Sequence, residues 1–146
     1  MINLALSEKR PVTSVQVGDA LPERELTPDN VQLFLYNAVL WNAHRIHFDE
    51  PYAKDVEGYP GLVIAGPMLG DWLHQCVEEW LGDSGRLVSI EYSNRAATYI
   101  GETLASGGTV IEVSPALGEV RIEVFIKNAA GDVVTPGVAT VMMEAQ

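Results

Sequence analysis

The polar segment between Trp41 and Tyr59 holds most of the side chains that could do chemistry. It contains two histidines, His44 and His47, and an aspartate, Asp49. A histidine side chain, with an unperturbed pKa of about 6.5, can accept or donate a proton near neutral pH. The spacing of these three residues would also suit a metal ion, but the sequence offers no identifiable further ligands, so we predict no metal site.

Turn-forming residues within this segment predict a loop, and a long helix follows it. The turn formers are Pro51, Gly58, Pro60 and Gly61. Apolar residues then recur at helical spacing from about Gly66 to Leu81, which predicts a helix buried along one side. The run 82–85 (Gly-Asp-Ser-Gly) ends it. The apolar positions are Leu69, Trp72, Leu73, Cys76, Val77 and Trp80.

After this helix the apolar pattern changes to a period of two, which is typical of half-buried strands. Four alternating runs cover residues 87–92, 110–113, 120–126 and 133–143. Turn signals separate them, including the glycine pair 107–108 and the run 130–132. The pattern predicts sequential antiparallel strands with one apolar face.

The first third of the chain is richer in loops. Residues 12–17 fit a short strand, and Thr27 with Pro28 predicts the N-cap and first residue of a helix. That helix is expected to extend for about three turns. Its apolar positions are Val31, Phe34, Leu35 and Ala38.

Composition limits the class of protein. The 146 residues suit one domain, and 47% hydrophobic residues are enough for a core. A formal net charge of −11 disfavours a nucleic-acid binder or a protein that docks on anionic membranes. The one cysteine excludes an intramolecular disulfide. With no signal-peptide pattern and no apolar run of about 20 residues, we expect a soluble, cytoplasmic protein.

One long buried helix followed by antiparallel strands predicts an α+β architecture in which a curved sheet wraps a central helix. This is the arrangement of the hotdog fold, and we expect one such domain over residues 1–146. A single sheet of this kind leaves an edge strand and one flank of the helix open. We therefore expect at least a dimer, with the site between subunits and Asp71 or His74 near the contact.

Two sequence blocks resemble the MaoC-like branch of hotdog hydratases and dehydratases. They are residues 42–53, which begin Asn-Ala-His-Arg-Ile-His-Phe-Asp, and residues 58–68, Gly-Tyr-Pro-Gly-Leu-Val-Ile-Ala-Gly-Pro-Met. The chain is most similar to the subgroup of mesaconyl-CoA hydratases and mitochondrial-type 3-hydroxyacyl-thioester dehydratases. Weaker similarity extends from residues 17–22 through 101–104 to the final strands.

The resemblance implies reversible addition of water to the double bond of an acyl thioester. His47 falls on the histidine of the family's acid/base pair, and Asn42 falls on the position of its aspartate. An amide cannot transfer a proton at neutral pH, although it can hold a water or a substrate oxygen. The subgroup pattern Asn-x-His-x-Ile-His shares this change, so His47 is expected to be the principal acid/base.

The resemblance also implies a carbonyl-binding site at the start of the long helix, around Ala65 and Gly66. Backbone N–H groups there would stabilise charge on the thioester oxygen. His44 is expected to orient His47 or to cap a backbone group, and Arg45, Arg95 or Lys54 to meet a phosphate of coenzyme A. His44, Arg45 and Arg95 are therefore counted with Ala65 and Gly66 as substrate-binding candidates. Coenzyme A would be part of the substrate, so no separate cofactor is expected.

Alternatives remain open from the sequence. Asp71 lies on the long helix where some hotdog thioesterases and acyl-carrier-protein dehydratases carry a catalytic carboxylate, so a thioesterase is the second hypothesis. A half-site or non-catalytic subunit that pairs with a second hotdog chain is the third. Asp49 is expected to be the N-cap of a short helix. Carrier, acyl length and reaction direction stay open.

Overall fold

Two α-helices and one five-stranded sheet account for most regular structure in residues 9–144, the part of the chain that the computed structural model describes. The helices are α1 (Asn30–Val39) and α2 (Gly66–Leu81). The strands are β1 (Ala20–Leu26), β2 (Gly85–Tyr92), β3 (Leu104–Ser114), β4 (Glu119–Lys127) and β5 (Val133–Met143). Short 3₁₀ turns and one π-helical turn, Tyr52–Val56, occupy parts of the connections.

Helix α2 packs against the sheet along the apolar stripe that predicted it. Leu73, Cys76 and Val77 are at most 1% exposed. The facing side chains of β4 alternate in burial, so Val120, Ile122, Val124 and Ile126 join the same core. The predicted architecture, a sheet around a central helix, is confirmed. Trp80 is only partly buried, with the Arg10 guanidinium over its ring.

The strand order is β1-β3-β4-β5-β2, with every pair antiparallel. The prediction of sequential strands was therefore wrong at one step, because β2 pairs with β5 instead of β3. The position of β2 is explained by the connection 93–103. This connection passes beside the segment before α2, so β3 does not follow β2 as its neighbour in the sheet. Ile64 N–H donates to Thr98 O, and Ile100 N–H donates to Leu62 O. The crossing brings residues after β2 close to the start of α2.

Strand β3 begins earlier than the sequence pattern predicted. Gly107 and Gly108, interpreted as a turn, lie inside it and pair with Phe125 and Val124 of β4. A Cβ at residue 107 would press on the Phe125 ring, and one at 108 would lie 2.7 Å from a backbone oxygen of β4. These glycines allow close approach inside the sheet and do not mark its end.

The amino-terminal predictions needed correction. Residues 12–17 do not form a strand, because Val12–Ser14 is a 3₁₀ turn. The first strand is β1, at the sheet edge, where only Leu21 is buried. Its exposed charged residues hide the alternation that would have predicted it.

Helix α1 also differs from its prediction. Asp29 caps it, with the N–H of Gln32 donating to Asp29 Oδ1 (2.7 Å), whereas the predicted cap, Thr27, has its hydroxyl 2.9 Å from that of Thr103. Leu33 and Asn37 face the interior. The predicted apolar face, with Val31, Phe34 and Leu35, is more than half exposed.

Within residues 9–144, no helix is both long enough and apolar enough to cross a membrane.

Two leucines of α1 test which side of this helix faces the core. Leu33 is fully buried and Leu35 is 56% exposed. We expect Leu33→Ala to lower the free energy of unfolding by about 2–5 kcal/mol, because it leaves a cavity. Leu35→Ala, the matched control, should change it by about 0.5 kcal/mol. Urea denaturation measures both, and equal losses would contradict the orientation of α1.

Candidate active site

An ion pair shapes the loop that carries the histidines. The Arg45 guanidinium donates two hydrogen bonds to Asp49 Oδ2 (2.9 and 2.7 Å) and lies over the Tyr52 ring. Asp49 Oδ1 accepts from the N–H of Tyr52, which is the bond of an N-cap and confirms that prediction. The Arg45 side chain holds the pKa of Asp49 below its usual value, aided by the Tyr52 N–H.

His47 ends the 3₁₀ turn Arg45–His47 within this loop, and its side chain is buried, with 7% of the residue exposed. Its Nδ1 atom is 2.7 Å from the carbonyl oxygen of Val63. A carbonyl oxygen can only accept, so Nδ1 carries a hydrogen and the neutral ring has its lone pair on Nε2. The N–H of Val63 donates to Ile46 O, so Val63 is bonded to the histidine turn through both its N–H and its carbonyl group. The ring is therefore fixed in both tautomer and position.

Three influences set the proton affinity of His47. Burial, the largest of them, lowers its pKa below the ordinary value. The hydrogen bond to Val63 raises the pKa, and the neighbouring His44 lowers it. The two rings stand edge to face with centroids 5.7 Å apart. Because the net shift is downward, His47 is neutral at pH 7 and its Nε2 can accept a proton.

The start of α2 supplies a second group to the site, a backbone N–H donor. Ala65 is the N-cap and is fully buried, and Gly66 is the first helical residue. Pro67 has no N–H, and the N–H groups of Met68 and Leu69 both turn back to Ala65 O. The N–H of Gly66 has no intrahelical partner, since the first N–H groups of a helix lack one. It is the donor that the first turn leaves for a ligand.

A cavity of about 290 Å³ brings these groups together. Apolar side chains form much of its wall, and the polar groups are His47, Gly66, Asn94, Arg95 and Thr98. Thr98 is 1% exposed, and its Oγ1 has no hydrogen-bond partner among residues 9–144. The full lining is Ile46, His47, Val63, Ile64, Gly66, Leu69, Asn94, Arg95, Ala96, Ala97 and Thr98.

Of the predicted site residues, the cavity wall includes His47, Gly66 and Arg95, with Ala65 capping the adjoining helix. Asn42 does not line this cavity; it borders a separate depression beside Trp41, and its Oδ1 accepts from the N–H of His44. Arg45 and His44 do not line the cavity.

Asp71 lies on a different surface of α2. Its Oδ2 accepts a hydrogen bond from the Tyr36 hydroxyl (2.7 Å), and it borders a depression between α1 and α2. Burial, together with this bond, raises the pKa of Tyr36. Within one chain the structure does not bring Asp71 to the cavity of His47.

Asn94 and Thr98 are the polar cavity residues that sequence reasoning did not select as site residues. They belong to the connection 93–103 after β2, and only the pairing of β2 with β5 carries this connection to α2. The run of polar and small residues 93–98 was the available signal. Among residues 9–144, no group of three or more His, Cys, Asp and Glu side chains is arranged to hold a metal ion.

An antiparallel sheet packed around a central helix is the architecture of the hotdog fold. R-hydratase PhaJ1 from Pseudomonas aeruginosa matches with a TM-score of 0.84 at 21% identity, over 93% of this chain and 86% of that one. A chain of the ChsH1-ChsH2 complex from Mycobacterium tuberculosis matches with a TM-score of 0.78 at 21% identity, over 88% and 98%. At these identities the matches establish the fold.

The family of the chain follows from comparison of its sequence with family models. The model for hydroxyacyl-thioester dehydratase type 2 matches residues 3–100, and the chain belongs to this family. Mesaconyl-C(4)-CoA hydratase from Chloroflexus aurantiacus is 51% identical over 59 residues, which is 40% of this chain and 21% of that protein. The chain matches only 14–29% of the length of its three curated relatives.

The protonation of His47 can be measured without any substrate. Long-range ¹H–¹⁵N NMR spectra should show the Nδ1-protonated neutral ring at pH 7 and a titration midpoint below about 6.5. His44→Gln should move this midpoint upward, because the electrostatic influence of His44 lowers the pKa of His47. His47→Gln assigns the signal by removing it. A ring protonated at Nε2, or a midpoint above the ordinary value, would contradict the geometry.

Proposed function

We propose that the protein is an enoyl-thioester hydratase, or 3-hydroxyacyl-thioester dehydratase in the reverse direction. The observation that carries this proposal is that the neutral, anchored His47 ring lines the same cavity as Gly66, whose N–H has no partner within α2. Membership of the dehydratase family supports the same reaction. The short matched share of the curated relatives makes the substrate, as well as the activity, part of the proposal.

In the hydration direction, His47 Nε2 takes a proton from water as the water oxygen bonds to the β-carbon. The electron pair of the double bond moves toward the thioester, and negative charge develops on its carbonyl oxygen. The N–H of Gly66 donates to this oxygen and stabilises the charge. The imidazolium then gives its proton to the α-carbon, which restores neutral His47 and completes the addition of one water molecule.

Asn42 stays the predicted residue for holding water or the substrate hydroxyl. Its Oδ1 accepts one hydrogen bond from the N–H of His44, and its Nδ2 keeps two hydrogens that can be donated to the oxygen of a water or a hydroxyl. This role requires the water to lie between the Asn42 depression and the cavity. The amide positions oxygen and does not transfer protons.

The cavity suits a short acyl chain attached to an anionic carrier. Its volume of about 290 Å³ is small for a ligand pocket, and its apolar wall fits hydrocarbon. Arg95 lies at this cavity and is exposed, so its guanidinium can meet a phosphate of coenzyme A. Arg45 is less suited, because it does not line the cavity and two of its five N–H donors already serve Asp49.

We also propose that the chain works in an assembly, either as a homodimer or with a second hotdog chain. Strand β2 pairs only with β5 within residues 9–144, so its other edge is open. Phe34, Leu35 and Trp41 add exposed apolar surface on and after α1. A structural neighbour, the ChsH1-ChsH2 complex, is a heteromeric assembly by name.

Turnover of a short enoyl-CoA tests the reaction. The purified protein should remove the absorbance of the conjugated thioester, and His47→Gln should lower kcat/KM by about 10²–10⁴-fold. Asp83→Asn, a conservative substitution at an exposed residue after α2 and outside the cavity lining, should retain activity within about two-fold. Full activity of the His47 variant would exclude the mechanism. Release of free thiol without loss of the double bond would identify a thioesterase instead.

Light scattering tests the assembly. The isolated chain is expected to have the mass of at least two copies. An inactive monomer that gains hydratase activity with a co-expressed hotdog chain would select the heteromeric form. A monomer with full turnover would contradict the proposal of an assembly.

A further inference from the structure

Asn94 lines the same cavity as His47, but the reaction described so far gives its side chain no role. It follows β2, and its Oδ1 accepts a hydrogen bond from Thr135 Oγ1 (3.1 Å). Thr135 is fully buried on β5, so the amide is anchored from inside the protein. With Oδ1 occupied, the Nδ2 group retains two hydrogens that Thr135 does not use.

The Nδ2 atom lies directly over Gly66. A Cβ added at residue 66 would collide with Asn94 Nδ2 and would lie 3.2 Å from Asn94 Cγ. By standard bond lengths, Nδ2 is therefore within roughly 5 Å of the backbone nitrogen of Gly66. Two nitrogen donors at such a separation can both reach one oxygen atom at about 2.9 Å.

The Nδ2 group of Asn94 is not needed to hold the local backbone. The backbone on both sides of Asn94 is already tied to β5, because Ser93 N–H donates to Pro136 O and Arg95 N–H donates to Val134 O. The Asn94 amide is thus free to serve a ligand. It also explains Gly66, since any side chain at residue 66 would occupy the place of the amide.

We propose that Asn94 Nδ2 is the second hydrogen-bond donor to the thioester carbonyl oxygen, beside the N–H of Gly66. The inference rests on the proposed function and adds a catalytic residue to it. The charge that develops on the oxygen would be shared by two donors fixed before the substrate binds. Loss of one such donor typically lowers turnover by about 10²–10³-fold.

Three variants test this role. Asn94→Ala should lower kcat/KM for a short enoyl-CoA by about 10²–10³-fold. Asn94→Asp keeps an acceptor for Thr135 but removes the donor, so it should lose at least as much. Gln16→Ala, which removes an exposed amide side chain before β1 and outside the cavity lining, is the matched control and should retain activity within about two-fold. Urea denaturation checks that all three variants are folded.

Infrared difference spectroscopy gives a readout that does not depend on turnover. The probe is butyryl-CoA labelled with ¹³C at its carbonyl, a saturated thioester that cannot be hydrated. Its carbonyl stretch should move to higher frequency in Asn94→Ala than in the wild type, because a donor is lost. A thioether analogue without the carbonyl oxygen should bind both proteins equally.

The outcomes separate the two proposals. If the wild type hydrates the enoyl-CoA and Asn94→Ala retains its rate and its carbonyl band, the role of Asn94 is wrong and the proposed function stands. If the wild type hydrates no enoyl thioester, the proposed function fails. The carbonyl band then still decides the Asn94 contact, and an unchanged band overturns it.

Discussion

The hydrogen bond between His47 Nδ1 and the Val63 carbonyl is the contact on which the site depends. It fixes the tautomer, so the neutral ring can only accept a proton at Nε2. It also joins the histidine turn to the segment that leads into α2. Without it, the ring could rotate, and the backbone donor of Gly66 would lose its fixed relation to the base.

The burial of His47 and the position of the connection after β2 act together. Burial lowers the pKa of the ring and keeps it neutral. Hydrogen bonds from Ile64 N–H to Thr98 O and from Ile100 N–H to Leu62 O hold the connection 93–103 beside the segment before α2. Residues 94–98 of this connection line the same cavity as His47. The pairing of β2 with β5, far from the histidine in sequence, is thus part of what sets its proton affinity.

The sequence predicted the fold where the pattern was strong and missed it where exposure hid the pattern. Helix α2 and the later strands follow from regular apolar spacing, and the family resemblance located His47. Strand β1 was missed because Glu23 and Glu25 remain in solvent at the sheet edge and Arg24, also charged, is only half-buried. The buried face of α1 depends on what the helix packs against, so spacing alone chose the wrong side. Asn94 was not selected, because the polar run 93–98 does not show that the chain brings this residue to Gly66; only the pairing of β2 with β5 does so.

Arg95 at the cavity has a consequence for how a phosphorylated substrate would arrive. The chain as a whole carries a formal charge of −11, so its long-range field repels an anion while Arg95 attracts it at short range. Dissolved ions screen the distant repulsion more than the close attraction. Capture of such a substrate should therefore become faster, not slower, as ionic strength rises from low values.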